Sequence, residues 1–148
     1  MLVHSAMVNN PLTVSPETSL VEFVDLVLGS NQTTAAVLGD DGELLGMIAV
    51  GDILRAIVPH YLNMEAKLVD MMHEGHFDEK FAKFENVSVR EVMLTKIDSL
   101  APDDAVIKAV ALFARKRRKS IPVVQDGKFI GMLTRRSLLR TVRHLPPS

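Results

Sequence analysis

The chain has 148 residues, 47% of them apolar and 24% charged, with a net charge of −1 and no Cys or Trp. This is the balance of a soluble globular domain. It excludes a disordered tail, a disulfide framework, thiol catalysis and any global field that would gather nucleic acid or anionic membrane. No apolar run approaches the ~18 residues of a membrane span, and Met1–Ser5 lacks the regions of a secretory signal, so a cytoplasmic location is expected.

Taken in chain order, the elements come twice. Val3 and Met7 lead the first copy, and Val89 and Met93 lead the second. Ser15-Pro16-Glu17 predicts a helix start with Ser15 as N-cap, followed by Leu20, Phe23, Val24, Val27 and Leu28 at helical spacing. Ala101-Pro102-Asp103-Asp104 stands at the same place in the second copy, before Val106, Val110 and Phe113. A short apolar strand follows, Ala35–Leu38 or Ile121–Val124, then an Asp-Gly turn and a second strand, Leu44–Ala49 or Phe129–Thr134. The turn is one residue shorter in the second copy, where Asp126-Gly127 replaces Asp40-Asp41-Gly42. A closing helix is expected at Asp52–Val58 and again at Ser137–Val142, each carrying an Arg, Arg55 or Arg140, at the same point. Units of this size bury little surface alone, so two copies packed about a pseudo-twofold axis, with clefts between them, are expected. The division is residues 1–58 for repeat 1, 59–86 for a linker and 87–148 for repeat 2. Met64, Leu68 and Met71, then Phe77, Phe81 and Phe84, predict two short amphipathic linker helices.

The leading Val-x-x-x-Met, the Pro-marked helix, "SIPVVQDGKFIGMLT" and a helix ending "LLR" resemble the cystathionine-β-synthase-type (CBS) domain. Two in tandem resemble a stand-alone Bateman module. The resemblance implies an α/β (α+β) fold of two βαββα-type repeats. It also implies clefts that bind AMP, ADP, ATP or S-adenosylmethionine, a homodimer, and a regulatory rather than catalytic role with no required cofactor. The partner it would regulate is not named by the sequence.

The family holds ribose around Gly-x-x-Thr-x-x-Asp, where a carboxylate can accept from both sugar hydroxyls. Here the constellation is split. Gly46–Asp52 keeps Asp52 but has Ala49 for the Thr; Gly131–Ser137 keeps Thr134 but has Ser137 for the Asp. The resemblance therefore favours the cleft using Asp52 for the ribose, while residue type alone allows Asp52 and Ser137 to be helix caps. Phosphates would meet Lys119 and Ser120, ahead of the Pro-Val strand, and Arg135 or Arg136. The adenine would lie near Thr34, Ala35, Ala36, Ile121 and Pro122, with Met93, Thr95, Lys96 and Ile97 close by.

Two other readings follow from the same residues. The clefts could be relics in a ligand-free interaction or dimerisation module, or the Arg115–Lys119 run could grip nucleic acid weakly. The absence of aromatic platforms and of a recognition motif counts against the latter. His73-Glu74-Gly75-His76 invites a metal, but Gly75 interrupts the helix that would align the pair. No Walker loop or nucleophile elbow occurs, so no catalytic residue and no metal site is expected.

Overall fold

The periodicities of each copy become the elements they imply in the computed structural model, which describes residues 1–8, 10–57, 85–116 and 118–144. The first repeat contributes β1 (Thr13–Val14), α1 (Leu20–Leu28), β2 (Thr34–Leu38), β3 (Leu44–Ala49) and α2 (Val50–Ile57). The second contributes α3 (Val106–Arg115), β4 (Ser120–Gln125), β5 (Lys128–Thr134) and α4 (Arg135–Arg143). Single 3-10 turns at Val3–Ala6 and Val89–Glu91 precede them. The expected linker helices, and the His73 and His76 pair, lie outside the described residues.

The two Pro positions mark turns rather than helix starts. Thr18 N donates to Ser15 O at 3.2 Å, and Ser15 N to Thr18 Oγ1 at 3.1 Å. α1 then begins at Leu20, with Ser19 Oγ accepting from Glu22 N at 3.1 Å. In the second copy the Asp104 carboxylate accepts from Ala101 N at 2.8 Å, and α3 begins at Val106. The fixed φ of Pro suits the second position of a turn as well as the first of a helix, so the local signal is shared by both.

Each repeat folds its two long strands into an antiparallel hairpin, β2 with β3 and β4 with β5. The shorter turn uses Asp126 at φ 53° and Gly127 at φ 79°, the pair of positive angles that a tight hairpin needs. β1 adds to β2 in parallel, and Leu100 makes the matching parallel bridge to Val123 in the second repeat. Ala36, Met47 and Met132, with Leu38, Leu44, Ile97 and Phe129 around them, form the apolar layer shared by the two hairpins.

The leading segments cross over. Val3 and Ala6 are buried in the core of the second repeat, among Leu100, Val106, Ala109, Ile121, Val123, Leu133 and Leu138. Val3 N donates to Asp104 O at 2.9 Å and Val8 N to Met132 O at 2.7 Å. Val89 is buried in the core of the first repeat with Leu20, Phe23, Val37 and Ile48. Val89 N donates to Thr18 O at 2.8 Å, and Leu94 exchanges backbone bonds with Met47 at 2.8 and 2.9 Å. Each repeat therefore completes its core with the Val-x-x-x-Met of the other.

The crossover accounts for the repeated Gly-Met. Met7 packs against the face of Gly131 and Met93 against that of Gly46, where any side chain would intrude. A Cβ on Gly46 would stand 2.9 Å from Leu94 O, which is backbone held in place by Met47 N. On Gly131 it would meet only the flexible Met7 side chain within that range. Gly46→Ala is accordingly expected to cost about 1–3 kcal/mol by urea denaturation, without rescue by trimming Met93. Gly131→Ala should cost less, because Met7 can change rotamer.

Candidate functional site

Both hairpins bring the start of one strand beside the end of its partner. Thr34 pairs with Ala49, and Ser120 with Thr134. The helices α2 and α4 leave from those ends, and the β5–α4 junction faces the Asn31–Thr34 segment of the first repeat across an opening. A cleft of about 740 Å³ lies there. Its walls are Val8, Asn31, Gln32, Thr33 and Thr34 from the first half and Lys119, Ser120, Met132, Thr134, Arg135, Arg136, Ser137 and Arg140 from the second. Four cations and no carboxylate stand among these described residues. Gln32 ties down the chain behind the wall: its amide donates to Asn10 O at 2.9 Å and its carbonyl accepts from Leu12 N at 3.0 Å.

The residues that diverge between the copies form helix caps. In α4, Thr134 Oγ1 accepts from Ser137 N at 3.0 Å while Ser137 Oγ accepts from Thr134 N at 2.9 Å, a reciprocal capping box. Ser137 Oγ also donates to Thr134 O at 3.0 Å, so the one proton of this buried hydroxyl is used within the cap. In α2 only half of the box survives. Asp52 Oδ2 accepts from Ala49 N at 2.8 Å, and Ala49 has no hydroxyl to return the bond. Asp52 Oδ1 is held by Arg55 Nη2 at 2.6 Å.

Of the residues expected to meet a ligand, the cleft therefore brings together Thr34, Lys119, Ser120, Thr134, Arg135, Arg136 and Ser137. Asp52 stands off this wall with both oxygens engaged. Ala35, Ala36, Ile121 and Pro122 are fully buried in the cores. Met93 packs on Gly46, Ile97 joins the layer between the hairpins, and Lys96 is exposed away from the cleft. Sequence reasoning missed Val8, Asn31, Gln32, Thr33, Met132 and Arg140 on the wall. Asn31–Thr34 correspond in the repeat to the stretch ending at Lys119-Ser120; being uncharged they give no phosphate signal, yet the correspondence places them on the same wall.

Within the basic run the cations divide. Lys116 Nζ and Arg118 Nη2 both bind Asp98, at 3.2 and 3.0 Å, which draws the end of α3 against the segment leading to Leu100 and leaves Lys119 on the cleft. The hydrogen bond from Lys116, with that from Arg118, holds the Asp98 carboxyl below its ordinary value. Glu17 is lowered by Arg90, and Asp104 by the Ala101 N–H and then Lys108.

The residues and geometry define a tandem pair of like repeats around a cationic cleft. The CBS domain family model matches residues 3–59 and 89–144, and the chain belongs to that family. It is 30% identical over 154 aligned positions to an uncharacterised protein of Methanocaldococcus jannaschii, covering 96% of this chain and 91% of that one. Among solved structures it is similar to CBSX2 in complex with AMP, with a TM-score of 0.77 and 22% identity over 99% of each chain. It is also similar to the CBS domain pair of protein MJ0100 in complex with 5′-methylthioadenosine and S-adenosylmethionine. There the TM-score is 0.69 and the identity 17%, over 97% of this chain and 96% of the other. Among the described residues no helix is long and apolar enough to cross a membrane.

Depressed carboxyl pKa values stabilise the fold above the unfolded-state values, near pH ~4, and that contribution is lost as pH falls through the folded-state values. Acid unfolding should thus steepen below about pH 4. In Asp98→Asn this limb should be shallower than in the parent when followed by circular dichroism.

Proposed function

We propose that the protein is a non-catalytic regulatory module that binds an adenosine nucleotide in the cationic cleft between its repeats. The observation that carries this reading is the wall itself: Lys119, Arg135, Arg136 and Arg140, with no carboxylate among the described lining residues, around a volume typical of small-molecule sites. Thr134 keeps its hydroxyl proton for a ligand acceptor, since its oxygen only accepts within the cap. The adenosine ligands of the two structural neighbours support the choice of nucleoside. Placing the ligand here rather than beside Asp52 follows from the lining of the cleft, which carries the cations and does not include Asp52. A ligand that touches both repeats signals through its differential affinity for their relative arrangements.

Calorimetric titration with AMP, ADP, ATP and S-adenosylmethionine tests the reading. The phosphorylated compounds should bind, with S-adenosylmethionine weaker because its sulfonium faces the cations. Arg136→Gln should lower nucleotide affinity about tenfold, the worth of one charge-assisted contact. A flat response to all four compounds removes the adenosine reading.

We also propose a homodimer, as the resemblance implies. The two repeats expose an apolar side chain at equivalent points, Leu54 at 48% and Leu139 at 66%, with Val142 nearby on α4. A second copy would cover these in both repeats at once. Sedimentation should show a dimer for the parent and a monomer for Leu139→Glu; a monomeric parent ends the proposal.

A further inference from the structure

The closing arginines, Arg55 and Arg140, occupy equivalent places on α2 and α4 but have different surroundings. On α2, Arg55 is neutralised three residues back by Asp52 at 2.6 Å, and Asp52 also caps Ala49 N. On α4 the residue at that position is Ser137. It keeps the capping bond, to Thr134 N at 2.9 Å, and removes the carboxylate. Arg140 has no carboxylate partner among the described residues and lines the cleft instead. Ser in place of Asp thus keeps the bond that starts the helix, adds a donor to Thr134 O and takes away the carboxylate that would hold the guanidinium.

We propose that Arg140 determines the specificity of the cleft, selecting ligands by their phosphates, and that Ser137 makes this possible by offering Arg140 no carboxylate where Asp52 holds Arg55. The inference rests on the proposed nucleotide reading and goes further by assigning the preference to one residue pair. With Lys119, Arg135 and Arg136 on the same wall, a fourth cation favours a nucleoside di- or triphosphate over a monophosphate. Guanidinium forks match phosphate oxygens two at a time, so each added phosphate finds a partner. The preference is electrostatic at an open cleft and therefore weakens as salt shortens the screening length.

The test is a set of ADP and AMP titrations in metal-free buffer at low and high salt. The proteins are the parent, Arg140→Gln, Ser137→Asp, the double variant and Arg55→Gln. In the parent ADP should bind more tightly than AMP, by about fivefold or more at low salt, with the gap closing at high salt. Arg140→Gln should lose most of that gap. Ser137→Asp should capture Arg140 as Asp52 captures Arg55 and cost most of the gap between ADP and AMP. The gap is the readout because a carboxylate that also reached the ribose would serve both nucleotides alike. The unfolding midpoint should fall modestly, since Asp keeps the cap on Thr134 N but not the bond to Thr134 O. In the Arg140→Gln background the same substitution should cost distinctly less, the signature of coupling. Arg55→Gln should leave both affinities unchanged. Should Ser137→Asp fail to fold, Arg140→Gln decides alone. A parent that binds ADP with Arg140→Gln binding it equally well overturns the role of Arg140 and leaves the nucleotide reading standing. A parent that binds neither nucleotide removes both.

Discussion

The reciprocal exchange of the two leading segments is the constraint on which the rest of this structure depends. Val3 completes the core of the second repeat and Val89 that of the first. Each buried Val is worth roughly 1.5–3 kcal/mol relative to leaving it in water, so separating the repeats would cost two cores rather than one interface. The exchange also fixes how the hairpins face each other. Met7 lies on Gly131 and Met93 on Gly46, which sets the distance of each crossing segment from the strand beneath it. The cleft then opens where the β5–α4 junction meets Asn31–Thr34 of the first repeat.

Much of the fold was legible because it is written twice. Hairpins, closing helices and the Asp-Gly turns follow from local patterns that agree between copies. Pro16 and Pro102 misled at the helix starts, since a turn and a first helical position ask the same of Pro. The crossover was not legible, because nothing in Val-x-x-x-Met states which hairpin it will cover. Its long-range pairing is a tertiary fact, visible only in where Val8 N and Leu94 find acceptors, at Met132 O and Met47 O.

The candidate site was legible in part, and the division is physical. Lys119, Ser120, Thr134, Arg135 and Arg136 could be placed from motif position and charge, and they share a wall. Asp52 could not be settled from residue type, because a carboxylate at the third position of a helix serves a cap as well as a sugar. Its neighbour Arg55 occupies the remaining oxygen, and that contact depends on a rotamer rather than a pattern. Ala35, Ile121 and Pro122 sit within the motif but are buried where the strands pass through the cores. Position along a motif gives the strand, whereas only burial tells which of its faces a ligand could reach.

The crossed segments also impose an order on synthesis. As the chain leaves the ribosome, the first hairpin is made long before Val89 is available to seal it. Val3 in turn must wait for Leu133 and Leu138, near the far end. The first seam therefore stays open until Val89 is made, and Val3 stays without its core until the last strands and helix are made, so sequence-distant contacts close last. Slow elongation would prolong that exposure, and with it the interval in which unsealed apolar surface can associate with other chains.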